Sequence, residues 1–352
     1  LSWRIAWLKA HYPAEYLAAM CSAGAGFYHV SAYVEEAKRW TEDGRAGIEV
    51  RLPSVNHSRL EYSTEPAAAA PAGALPCSGG FMPPSSLSSG TGSPWRDKPA
   101  ATAPISRRAI RIGLMQVRGL RSETIATILR ERDARGPFRS LEDFLARVPV
   151  ERDEIETLIK CGAFDNVPDQ SGQPAARPTL LWRLNLLGGS RDVAPAPHGA
   201  GPAYSLFPDA APNGAGTAPL PVLALADYTP ELRLRYEQEL LEVCVSGHPL
   251  DLVPRNGEVW STEIAPNHRS CRGRRVTLLG WLITFRHVGT KDYRNMMFCT
   301  FEDQRGTFEA VLFPEAYERY GALVFETRTM RVTGRVEEEG QINCEKLEPV
   351  KM

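Results

Sequence analysis

The sequence predicts a multidomain α+β chain, helical through its first two thirds and closing in a five-stranded β-barrel, with disordered linkers between the parts. Three observations predict it. Apolar residues recur at helical spacing from Trp3 to Met20 and again from Ile110 to Ala163, in short runs broken by Gly119, by Gly136 and Pro137, and by Pro149. From Val276 onward the apolar period changes to two. Residues 63–106 and 167–227 are biased toward Ala, Pro, Gly and Ser and hold too little apolar surface to offset their ordering entropy.

Residues 1–62 read as a helical head. Trp3, Ile5, Ala6 and Leu8 mark one helix; Pro13 opens a second that carries Tyr16, Leu17 and Met20. A third runs from about Ser31 to Trp40, and a short strand spans Ile48 to Leu52. After the linker at 63–106, residues 107–166 form a run of short helices that includes Leu141 to Arg147 and Arg152 to Lys160 and stops at Gly162. Within the second linker, 167–227, the island Leu180, Leu181, Trp182, Leu184, Leu186 and Leu187 has helical spacing. It is open between a helix docked on a neighbour and a transient one. Residues 228–275 are a connector, with an amphipathic helix from Pro230 to Val243 and then the turn Ser246-Gly247-His248-Pro249. Strands are expected at Val276 to His287, Asn295 to Glu302, Thr307 to Phe313, Thr329 to Glu337 and Gln341 to Leu347, with a helix from Pro314 to Tyr320 after the third. That order, over 276–350, is the order of an OB-fold.

At 352 residues the chain exceeds one compact domain. Its longest apolar runs fall far short of a membrane span, so a cytoplasmic protein without membrane contact is expected. The first helix is already under way at Leu1, as in a chain whose beginning lies elsewhere. Seven cysteines stand singly, with no Cys-x-x-Cys pair, which argues against zinc and disulfide frameworks. With 41 Lys and Arg against 42 Asp and Glu there is no global basic field, so any grip on nucleic acid must come from local clusters.

One such cluster surrounds Val117-Arg118-Gly119-Leu120-Arg121-Ser122, a glycine turn leading into the amphipathic run Thr124 to Arg130. A helix-hairpin-helix holds DNA in this way: the tight turn and the next helix's first amides face a phosphate, without reading bases. Between residues 101 and 140 nine arginines oppose Glu123, Glu131 and Asp133. Arg111, Arg118, Gly119, Leu120, Arg121 and Ser122 are the expected contacts. The bland alternative makes Gly119 a helix cap and the arginines a solvated face. Arg121 stands where a second glycine is usual, and either its guanidinium adds a phosphate contact or its Cβ obstructs the backbone. Val148-Pro149-Val150-Glu151 resembles a second, structural hairpin that completes a tandem unit.

In the barrel, Arg286, Lys291, Arg294 and Phe298 are the expected contacts to single-stranded DNA, since OB-folds stack bases on aromatic rings while cations follow the backbone. Phe285, His287, Tyr293, Phe301 and Phe308 are open between that role and barrel core. The basic stretch His268, Arg269, Arg272, Arg274 and Arg275 is open between phosphate contact and connector. His248 has no nucleophile or partner nearby and reads as a structural turn. No catalytic residue and no metal ligand is assigned, because two-metal phosphoryl transfer needs converging carboxylates and no Asp-x-Asp occurs.

Several strings in one order resemble the bacterial C-family DNA polymerases, the DNA polymerase III alpha subunits and their error-prone relatives. They are Ala6-Trp7-Leu8-Lys9-Ala10-His11-Tyr12-Pro13, Pro53-Ser54-Val55-Asn56-His57-Ser58, Ile110-Arg111-Ile112-Gly113-Leu114, Gly136-Pro137-Phe138-Arg139-Ser140-Leu141, Ser246-Gly247-His248-Pro249-Leu250 and Glu309-Ala310-Val311-Leu312-Phe313-Pro314. The resemblance implies that 1–62 is the end of a fingers-like domain, 107–166 a tandem helix-hairpin-helix, and 276–350 the family's OB domain. It implies template-directed DNA synthesis with magnesium in the full polymerase, whose palm carboxylates match nothing here, so the chain itself is expected to need no cofactor. Primer-template DNA, single-stranded DNA, the remainder of the polymerase and the sliding clamp are the implied partners, in replication or error-prone repair synthesis. The OB segment comes last, which leans toward an accessory or error-prone paralogue, an order that truncation at Met352 would equally give. An NAD-dependent DNA ligase fails on residues, since Lys291-Asp292-Tyr293 is not Lys-x-Asp-Gly. A non-catalytic scaffold whose barrel binds protein is the alternative.

Overall fold

The computed structural model describes residues 2–24, 28–42, 45–67, 108–168, 172–188, 225–264, 271–289, 294–337 and 340–351. Helices α1 (Ser2–His11) and α2 (Pro13–Ala23) follow the expected break at Pro13, and α3 (Val30–Arg39) is capped by His29, whose ring accepts from the Ser31 amide. A small hairpin, β1 (Thr41–Glu42) with β2 (Arg45–Ala46), leads to β3 (Val50–Arg51).

Residues 63–66, expected to begin a linker, form strand β4 (Ser63–Pro66), and Ile110 and Arg111, expected in a short helix, belong to strand β5 (Arg108–Arg111). The three strands make one sheet in the order β3-β5-β4, parallel between β3 and β5 and antiparallel between β5 and β4. Ala109 and Ile110 in the middle strand are buried, which a β-branched pattern in a central strand satisfies. Ser63, Thr64 and Glu65 carry no apolar signal of their own; pairing to β5 makes them a strand. This sheet ties the head to the following helices. Leu17, Val34, Ile110, Ile128, Phe144, Phe164 and Leu180 share one core, so 1–62 and 107–166 are a single packed body and not two.

After β5 the chain makes one 3-10 turn, Leu114–Gln116, in place of the full helix expected before the hairpin. Gly113 lies so close to the backbone of Leu60 and Glu61 that a Cβ there would sit 2.4 Å from the Glu61 carbonyl carbon. Helices α4 (Ser122–Arg135), α5 (Leu141–Arg147) and α6 (Arg152–Lys160) follow. Ser140 caps α5 by accepting from the Asp143 amide at 3.1 Å, and Phe138, Phe144 and Phe164 meet edge to face at 4.9 and 5.1 Å. Of the two readings of the apolar island, docking is the one observed: α7 (Arg177–Gly188) buries Leu180 and Leu184 in the same core. Arg177, 1% exposed, holds it there through Asp165 at 2.6 and 2.9 Å and the Lys160 carbonyl at 2.9 Å. Residues 68–106 of the first linker, and 169–171 and 189–224 of the second, lie outside the described residues.

Helix α8 (Pro230–Leu241) ends two residues earlier than expected, because Glu242 takes the left-handed conformation. A connector with a short turn of helix, α9 (Ser261–Ile264), then reaches the barrel. Strands β6 (Arg275–Gly289), β7 (Asn295–Glu302), β8 (Thr307–Leu312), β9 (Thr329–Val336) and β10 (Ile342–Pro349) close in the order β10-β8-β7-β6-β9, with α10 (Pro314–Tyr320) after the third strand, as the period-two pattern predicts. Inward positions such as Leu278, Met297, Cys299, Phe301, Ala310, Val332 and Ile342 fill the barrel core. Phe301 and Phe308 belong to this core and not to a binding surface. The described cysteines are buried, and burial pushes the thiols of Cys21, Cys161, Cys299 and Cys344 up to about 12.

Candidate nucleic-acid interface

The hairpin is anchored from below and open above. The Arg118 amide donates to the Leu240 carbonyl at 2.8 Å and the Gln116 side chain to the Leu241 carbonyl at 2.7 Å, fixing the turn on the end of α8. Gly119 has φ +79, a left-handed conformation that favours glycine, and apart from its two chain neighbours no atom of the described residues lies within 4 Å of where its Cβ would be. Leu120 packs half-buried on the helical core, and Ser122 is exposed as the first residue of α4. The first-turn amides of α4 have no intrahelical acceptor.

The arginines divide into three groups. Arg111 is 6% exposed, with its guanidinium on Glu65 at 2.5 and 3.2 Å and on the Leu52 carbonyl at 2.9 Å. It braces the sheet from its central strand and is not the surface contact expected of it. Arg132 is likewise internal, donating to the carbonyls of Val55 and Ser58.

Arg121 resolves its two readings in a third way. Its backbone amide reaches Glu154 at 2.9 Å and its guanidinium reaches Glu154 at 2.9 Å and Glu151 at 2.6 Å, with Thr124 donating to the same Glu154 carboxylate. Burial alone would raise the Glu154 carboxyl, but these donors hold it at about 2. Arg121 therefore locks α4 to the second hairpin, whose Glu151 supplies the other half of the pair. Arg118, by contrast, has a side chain that is 64% exposed, and its guanidinium meets Glu242 at 2.9 Å.

Arg108 pairs with Glu15 and Arg135 with Glu131, while Arg130 and Arg139 are exposed. Most of the partners stand outside residues 101–140, so the nine-to-three charge excess is largely offset in three dimensions. Arg107 lies outside the described residues.

On the barrel, Arg286 and Phe298 are cross-strand neighbours on β6 and β7, and the guanidinium lies 5.2 Å from the ring centroid. Both face outward, the arginine exposed and the ring half-buried. Arg294 is exposed and lines a 430 Å³ groove with Phe313, Arg319 and Tyr320. Lys291 and Tyr293 lie outside the described residues, as do His268 and Arg269 of the basic stretch. On the opposite face of the β6–β7 ribbon from Arg286, Phe285 and His287 meet Phe325 at 5.0 and 6.2 Å. Phe325 is 64% exposed and escapes sequence reading, because Ala322-Leu323-Val324-Phe325 has the look of ordinary core.

His248 is structural, as expected. It is 5% exposed, its ring accepts from the Leu250 amide at 3.1 Å, and burial holds it down to about 3. Among the described residues no three histidine, cysteine or carboxylate side chains converge as a metal site. No described helix is long and apolar enough to cross a membrane.

A hairpin with an open glycine backbone, joined to a closed OB barrel with an outward aromatic and cation pair, defines a nucleic-acid-binding class of protein. The family comparisons agree: the profile of the helix-hairpin-helix motif matches residues 47–173, and that of the OB-fold nucleic acid binding domain matches residues 276–350. The first match begins at residue 47, which places β3 and β4 with the hairpin unit, as the sheet does. The chain is 29% identical to the error-prone DNA polymerase of Symbiobacterium thermophilum, 28% to the DNA polymerase III subunit alpha of Thermus aquaticus and 27% to that of Saccharopolyspora erythraea, in each case over 96% of its own length. Over nearly all of its length the chain is thus similar to bacterial DNA polymerase III alpha subunits and error-prone DNA polymerases, and its hairpin and OB domains fit the C-terminal portion of such proteins. It spans 30%, 23% and 25% of the length of those three relatives.

Proposed function

We propose that this chain is the part of a DNA polymerase that holds primer-template duplex through the Gly119 hairpin and single-stranded template through the OB barrel, during replication or error-prone repair synthesis in the cytoplasm. The observation that carries the reading is the open backbone at Gly119 beside the exposed Arg118, in a body otherwise braced by internal ion pairs. Synthesis from deoxynucleoside triphosphates with magnesium belongs, on this reading, to the remainder of the polymerase. The face of α1 that exposes Trp3, Ile5, Trp7 and Leu8 suits that remainder as a packing partner, and the sliding clamp is a further protein partner. Fluorescence anisotropy with a labelled primer-template tests the reading. Affinity should fall steeply with salt, with a log-log slope of roughly two to four, below what the arginine count alone implies because several cations are already paired. Affinity indifferent to salt would favour the protein-binding scaffold instead.

A further inference from the structure

Glu242 is the one non-glycine residue among the described ones with a left-handed backbone, at φ 58. It follows α8 at the position where helices commonly end on glycine, and a side chain with a Cβ disfavours that conformation. Its carboxylate makes two contacts. Oε1 lies 2.9 Å from Nη2 of Arg118 and Oε2 lies 3.3 Å from Nε2 of His29, the cap of α3. Arg328, on the approach to β9, adds positive charge to the same neighbourhood and lowers the His29 pKa, after burial.

The two hairpin arginines are held in opposite ways. Arg121 faces a carboxylate that is 4% exposed and bound also by a backbone amide and Thr124, so releasing it would disrupt the corner. Arg118 and Glu242 are 64% and 40% exposed and share a single contact, the kind of ion pair that contributes little to stability and exchanges readily. A carboxylate oxygen and a phosphodiester oxygen present the same acceptor to a guanidinium. Beside the pair, Gly119 leaves the approach clear.

We propose that Glu242 occupies, in the free protein, the place on Arg118 that a backbone phosphate takes when DNA binds, so that binding at the hairpin exchanges one anion for another. This rests on the reading of the hairpin as a DNA contact. Glu242 thereby weakens and tunes the grip: the arginine is released to DNA only where a phosphate outcompetes the tethered carboxylate.

Anisotropy on the full chain tests it. Glu242→Gln and Glu242→Gly should both bind primer-template three- to tenfold more tightly, with a salt slope steeper by about one, and the gain should vanish in an Arg118→Ala background. Glu239→Gln, an exposed change of equal charge on α8, should bind as wild type does. If Arg118→Ala weakens binding while Glu242→Gln leaves it unchanged, or if Glu239→Gln tightens it as much, anion exchange is wrong although the hairpin still contacts DNA. If neither Arg118→Ala nor Glu242→Gln alters affinity, the hairpin reading itself falls. Thermal melting of each variant confirms that the fold is kept.

Discussion

Arg39 Nη2 lies 2.9 Å from Glu302 Oε2, and this ion pair joins helix α3 of the helical body to strand β7 of the barrel. The carboxylate is 1% exposed and the guanidinium 28%. Lys38 stands beside it, bonded to Glu35 and to the carbonyls of Cys244 and Gly247, so the same turn of α3 also grips the connector. Charge pairing thus ties α3 to the barrel, while Leu250 and Val253 of the connector pack against Leu279 and Trp281 of β6 in a small apolar cluster.

Removing Arg39 leaves the buried Glu302 carboxyl without its partner, and the carboxyl responds by holding a proton. Arg39→Ala should destabilise the chain by about 1 to 3 kcal/mol, read by chemical denaturation, and should loosen the barrel before the helical body. A single transition at the wild-type midpoint would contradict this.

The pair also has a pH signature. Burial lifts the Glu302 carboxyl to about 7 despite the opposing pull of Arg39, and the same surroundings hold His248, 3.9 Å away, at about 3. The folded state therefore binds the Glu302 proton more readily than the unfolded state does, and that group's contribution to stability rises as pH falls from 7 toward its ordinary 4.5. His248 acts oppositely: the unfolded state takes its proton first, and stability is lost as pH falls below the ordinary 6.5. The two slopes oppose each other between these ordinary values. Glu302→Gln should expose the histidine slope alone, a loss approaching 1.4 kcal/mol per pH unit on acidification, where the wild type is flatter. Parallel stability curves for the two proteins would refute the assignment.

Arg121→Ala should lower the stability of the chain, because the buried Glu154 carboxylate loses its guanidinium partner, yet leave the salt slope of DNA binding unchanged. The measurement is a pair of denaturation and anisotropy titrations. A drop in slope without loss of stability would return Arg121 to the DNA contacts.

Phe325→Ala should weaken binding of a single-stranded oligonucleotide by about 1 to 3 kcal/mol while leaving duplex binding and melting temperature nearly unchanged, since the ring is already mostly exposed. Phe298→Ala tests the other face of the same ribbon. Equal losses on duplex and single strand for Phe325→Ala would place its ring outside a stacking surface.

The barrel was legible because its residues alternate in and out along each strand, so period two in Val276 to Leu347 carries the topology with it. Helices α5 and α6 were legible through their caps and apolar spacing. Ser63–Pro66 was not, because four polar and restricted residues became a strand only by pairing with Arg108–Arg111, more than 40 positions away. The arginines misled for a related reason: charge counted along a segment omits Glu15, Glu65, Glu151, Glu154 and Glu242, which the fold brings to it.

What the sequence by itself determined is the kind of module and the place of the hairpin, since hydrophobic period, glycine position and turn chemistry are local properties that act within a few residues. Which cations remain available to a ligand was decided only by the tertiary structure. Ion pairs form between groups far apart in the chain, and whether a guanidinium is buried against Glu65, locked on Glu154 or loosely held by Glu242 depends on how separate elements pack.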